Sequence, residues 1–176
     1  MKKMNIRSIT KIAVFSAILS ILGPINVPIG AVPITLTSFV IFILSALLLP
    51  HEAILTVLLY IVLGLIGIPV FSGYLAGISI LAGPSGGYII GFLVSSIIIS
   101  FINKLHKSIL KYLISFIIGT IVIYMFGMIN LIFILKMNIT SALITGVVPF
   151  IMPDVLKIIL ASVTVHILNK RFTNNY

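Results

Sequence analysis

Asp154 and Lys157 stand three positions apart in an apolar run, residues 149–169, that carries no other acid or base before His166. The whole chain has only two acids, Glu52 and Asp154, so a carboxylate inside a hydrophobic span is conspicuous. At helical spacing the two side chains share one face and can pair. Insertion scales charge each such residue roughly 2.5–3.5 kcal/mol at mid-membrane. Pairing recovers part of that cost, whereas two leucines would avoid it altogether. An anionic acceptor beside a cationic donor, kept from water, is suited to gripping a polar guest.

Catalysis fits the inventory poorly. There is no H-E-x-x-H element, and one intramembrane Asp cannot form an aspartyl dyad. No cysteine is present, so the chain has no disulfide, thiolate nucleophile or Cys-ligated metal. His51, His106 and His166 fall near span ends, where snorkelling imidazoles are ordinary, and His51-Glu52 alone is too little for a metal site. The run Gly83-Pro84-Ser85-Gly86-Gly87 lacks the Lys-Ser/Thr of a nucleotide loop. Any pumping must draw its energy from another subunit or an ion gradient. Neither a cofactor nor a metal is expected.

The elements that must hold this pair are membrane spans. With 61% hydrophobic and 7% charged residues in 176, the chain reads as an all-α integral membrane protein of one domain, residues 1–176. Six apolar runs, about residues 8–23, 34–49, 52–68, 88–101, 111–135 and 141–169, predict a six-helix bundle. The basic, then apolar, start mimics a signal peptide, but without a small-residue cleavage site before Pro24 it reads as a retained first helix. The last run is too long for one straight crossing. Pro149 and Pro153 predict a break near Met152, with a half-helix restarting at Pro153 and its positive end beside Asp154. The plainer reading is a structural ion pair holding a kinked helix.

Six crossings place Lys2, Lys3, Arg7, Lys11, Lys104, Lys107, Lys111, Lys170 and Arg171 on one side, which makes that side, and both termini, cytoplasmic. Lys136 alone lies outside. The +9 charge is therefore a matter of topology and anionic headgroups, with no stripe for nucleic acid. Two outer connections are irregular. Residues 24–33 carry Pro24, Pro28 and Pro33 with almost no charge, so they are extended and stiff, either an interfacial connector or a lid. Residues 64–91 hold eight of the thirteen glycines, which either pack helices closely or bring backbone groups to a small molecule. Such irregular backbone at membrane depth survives when it lines a cavity. The outer loops are expected to cap one.

Three stretches carry a family resemblance: Val32-Pro33-Ile34-Thr35-Leu36; Gly67-Ile68-Pro69-Val70-Phe71-Ser72-Gly73 with Gly83-Pro84-Ser85-Gly86-Gly87-Tyr88; and Pro149-Phe150 followed by Asp154-x-x-Lys157. In this order the chain resembles the biotin-specific S component, the substrate-binding membrane subunit of energy-coupling-factor transporters. It departs from the family's pattern at Thr37, more usually Gln, and at Met152-Pro153, more usually Pro-Gly. The resemblance implies biotin uptake across a bacterial cell membrane, with a transmembrane coupling subunit and two ATP-hydrolysing subunits as partners. It implies that Asp154 accepts from a ureido N–H while Lys157 donates to the ureido oxygen or to the carboxylate. Tyr88, Phe71 and Tyr74 would wall the ring, with Gly73 and Thr35 as further ligand-binding positions. Ala13 and Ala17, small residues four apart, would dock on the coupling subunit. Two alternatives stay open: an S component for another vitamin such as thiamin or riboflavin, and a non-transporting scaffold subunit.

Overall fold

Prolines and glycines set several of the helix boundaries, among them the end of the first helix and the start of the third, whereas the helix ending at Leu135 stops at a left-handed Lys136. The computed structural model describes residues 5–104 and 108–173; Lys2, Lys3, His106 and Lys107 lie outside them. Helix α1 (Ile6–Leu22) ends at Gly23 and Pro24. The proline-rich connection is a two-stranded ribbon, β1 (Asn26–Val27) antiparallel to β2 (Ile34–Thr35), with Asn26 opposite Thr35. Its turn passes through Gly30 at φ +66°. Helix α2 (Thr37–Leu47) follows, then α3 (Pro50–Leu65), which opens with Pro50 at a position whose N–H would be unpaired anyway.

Residues 66–85 reverse direction through left-handed backbone at Gly73 (φ +74°) and Gly77 (φ +95°) and include one helical turn, α4 (Ile78–Leu81). Helices α5 (Gly86–Asn103) and α6 (Ile109–Leu135) form a hairpin, and α7 (Ile139–Gly146) leads into α8 (Val148–Thr173). Eight helices are thus present among the described residues. By length and composition α5, α6 and α8 can cross a membrane, while α2 and α3 are shorter apolar helices. Outward-facing Ile121, Phe133, Met152, Leu156 and Leu160 are exposed, an apolar surface suited to lipid.

The break in the last run lies earlier than Met152. The chain leaves helix at Val147 (φ −128°, ψ −55°) and resumes at Val148, and Pro153 sits inside α8. Pro149, in the first turn, removes no intrahelical bond. Pro153 removes one, a loss that neighbouring helices can offset in a membrane bundle. The positive end of α8 is therefore more than a turn from Asp154, beyond the reach of the helix dipole. The predicted contribution of helix-start N–H groups beside Asp154 is not realised.

Helix α2 is the centre of the bundle and packs against α1, α5 and α8. Ile41, Phe42 and Leu44 are fully buried, and Phe42 stacks on Phe116 of α6 at 5.1 Å. The α5–α6 contact depends on two glycines. A Cβ on Gly87 would lie 2.3 Å from the Phe126 carbonyl oxygen, and one on Gly91 would lie 2.9 Å from Ile123 Cα. For these two, helix packing is the role.

Candidate ligand-binding site

Asp154 and Lys157 face inward on successive turns of α8, 6% and 9% exposed. Their ion pair measures 2.7 Å between Lys157 Nζ and Asp154 Oδ1. Tyr124 of α6 donates its hydroxyl to Asp154 Oδ2 at 2.7 Å, and Lys157 donates to Ser38 Oγ of α2 at 3.2 Å. Three helices thus converge on one charge pair. Ion pairs of this kind survive burial when further hydrogen bonds satisfy them, and that condition is met. Capacity remains: each carboxylate oxygen has a second lone pair, and the ammonium has a third N–H.

The pair opens onto a cavity of about 400 Å³, within the usual range for small-molecule sites. Tyr88 and Phe92 of α5, Phe150 of α8 and Phe71 supply its aromatic walls. Tyr88 is fixed by its hydroxyl bond to the Gly146 carbonyl at 2.7 Å, with its ring 6.2 Å from that of Phe150. Both irregular connections line the cavity, the ribbon through Asn26, Pro28 and Val32 and the glycine-rich stretch through Ser72, Gly73, Ser79 and Gly83. They are tied together where Asn26 Nδ2 donates to Ser72 Oγ at 2.7 Å and Gly73 N donates to the Pro24 carbonyl at 2.9 Å. Asn130 of α6 anchors the second stretch through the Gly83 and Pro84 carbonyls.

Among the residues expected from sequence to hold a ligand, Asp154, Lys157, Tyr88, Phe71, Gly73 and Thr35 line the cavity. Tyr74 does not. Its backbone is left-handed (φ +61°) and its side chain is 68% exposed. Ala13 and Ala17 are exposed on α1, away from the cavity. Thr37 lines it as well, with its hydroxyl directed at the Gly23 carbonyl at 3.4 Å, so one departure from the family's pattern falls at the site itself. Sequence reasoning missed Tyr124, Ser38 and Asn26. A signal existed for Tyr124, because a phenol inside a long apolar helix needs a hydrogen-bond partner and the chain's unplaced acceptor was Asp154. Ser38 and Asn26 carried none that separated them from other small polar residues.

A family model described as the BioY family matches residues 1–174. A protein named biotin transporter BioY2, from Lactococcus lactis subsp. cremoris, is 35% identical, covering 99% of this chain and all of its own length. A probable biotin transporter BioY from Pyrococcus horikoshii is 39% identical over 88% of this chain and 91% of its own. Among solved structures, the S-component for biotin from an ECF-type ABC transporter superposes with a TM-score of 0.87 at 33% identity, covering 97% of this chain and 94% of that one.

Proposed function

Because this chain belongs to the BioY family, we propose that it captures biotin and serves biotin uptake as the S component of an ECF-type transporter. The observation that carries this reading is the buried Asp154–Lys157 pair with a cavity beside it. Biotin's ureido group offers two N–H donors and one carbonyl acceptor, and its side chain ends in a carboxylate. Asp154 accepts from a ureido N–H with its remaining lone pairs. Lys157 directs its third N–H to the ureido oxygen, the carboxylate being the alternative. Tyr88, Phe71, Phe92 and Phe150 enclose the bicyclic ring, and the two tied outer stretches cover it. Hydrogen bonds to charged groups contribute roughly 1.5–3 kcal/mol each.

No chemical step is assigned to the chain; it binds and releases. Six crossings by α1, α2, α3, α5, α6 and α8 put both termini on the cytoplasmic side, as the loop charges require. A transmembrane coupling subunit and two ATP-hydrolysing subunits supply the energy, and the Ala13–Ala17 face of α1 meets the coupling subunit. The test is Asp154→Asn, which keeps the shape and removes the charge. Titration calorimetry should show biotin binding weakened about tenfold or more, in protein that still purifies folded. Unchanged affinity would reject the assignment.

A further inference from the structure

The chain's other acid, Glu52, has no part in the cavity, yet it is 1% exposed. It stands in the first turn of α3 and accepts the Leu49 backbone N–H at 3.1 Å. Its other partners belong to a different helix: Lys11 Nζ of α1 lies 3.6 Å from Glu52 Oε2, and the Ser8 side chain of α1 also bonds the carboxylate. One turn further along α3, Ser16 Oγ of α1 donates to the Thr56 carbonyl at 3.1 Å. Both contacts advance in the same direction on the two helices, so α1 and α3 run parallel and are joined at two polar rungs. The apolar hold on α1 comes from one face, where Ile12 and Leu19 are buried and Phe15 and Leu22 pack against the core. Ile9, Ala13, Val14, Ala17 and Ile21 face outward. Apolar packing is non-directional, so the polar contacts add what it lacks, a defined rotation and height for α1 on α3.

We propose that Glu52 is a positioning residue for uptake: paired with Lys11, it holds α1 on α3 so that the Ala13–Ala17 face is presented at a fixed angle. The proposal rests on the reading that this face meets the coupling subunit. The two rungs divide the work. Ser16–Thr56 is a neutral hydrogen bond, whereas Lys11–Glu52 is an ion pair at 3.6 Å that offsets the charge of a buried carboxylate. Neither Lys11 nor Glu52 lines the cavity; the one α3 residue that does, Tyr60, stands about two turns further along the helix.

The experiment compares Glu52→Gln, Lys11→Met and Ala17→Leu. Each is scored for biotin affinity by titration, for co-purification with the coupling and ATPase subunits, and for uptake in cells. Gln can still accept the Leu49 N–H, so it isolates the ion pair. Glu52→Gln and Lys11→Met should each bind biotin within about twofold of wild type while uptake and co-purification fall about tenfold. Normal uptake in Glu52→Gln or Lys11→Met, or equal loss of binding and uptake, would each overturn the proposal. Normal uptake in Ala17→Leu together with defective Glu52→Gln would overturn the docking face and leave the clamp standing. The reverse combination would overturn the clamp alone.

Discussion

Tyr124 and Lys157 grip opposite oxygens of Asp154, each at 2.7 Å, one from α6 and one from α8 itself. The carboxylate therefore cannot rotate without breaking a short hydrogen bond, and its free lone pairs point in fixed directions. Fixing an acceptor before the ligand arrives removes an ordering cost from binding.

Tyr124→Phe should weaken biotin binding by about tenfold, the loss of one hydrogen bond to a charged group, with the bundle intact. Titration calorimetry on the purified variant checks it. Affinity equal to wild type would show that Lys157 alone orients the carboxylate.

Replacing both charges should separate stability from function. The double variant Asp154→Leu/Lys157→Leu should unfold no more easily than wild type, because apolar side chains of similar volume often equal or exceed a buried ion pair. It should bind no biotin. Lys157→Leu alone should lose about 3–5 kcal/mol, since it strands the carboxylate. Denaturant titration in detergent, with biotin binding measured in parallel, reads both quantities.

Asn26→Ala removes the side-chain tie between the ribbon and the glycine-rich stretch. The expected result is faster release of biotin by about two- to tenfold, matching a net hydrogen bond of about 0.5–1.5 kcal/mol. A pulse–chase with labelled biotin measures it. A release rate equal to wild type would mean that the Gly73–Pro24 backbone bond holds the cover unaided.

Gly87→Ala should destabilise the bundle by about 1–3 kcal/mol, the usual range for overpacking. The new methyl group meets the Phe126 backbone, which cannot move aside as a flexible side chain would. Thermal unfolding in detergent is the measurement.

Much of this was legible in the residues because membrane burial makes polar groups expensive and therefore informative. Asp154 and Lys157 stood out on that ground alone, and both face the cavity. The outer connections were readable as irregular from proline and glycine content. Their pairing was not, because Asn26 and Ser72 are 46 positions apart and nothing local couples them. The helix restart was misplaced from Val148 to Pro153, since the sequence shows where proline removes a bond but not whether packing compensates. Tyr74, expected with Tyr88 and Phe71 to wall the ring, is not among the residues that line the cavity. A left-handed backbone at Tyr74 turns it outward, and no residue type announces that for a tyrosine.

The meeting of α2, α6 and α8 at a single charge pair has a consequence for the loaded protein. In the proposed binding mode a guest bonded to Asp154 and Lys157 joins a hub that already ties three segments, so filling the site stabilises the fold as well as loading it. Mass action then raises the melting temperature with vitamin concentration, by the equivalent of about 2.7 kcal/mol at a hundredfold excess over Kd. Heat resistance in detergent thus becomes a gauge of occupancy that needs no label.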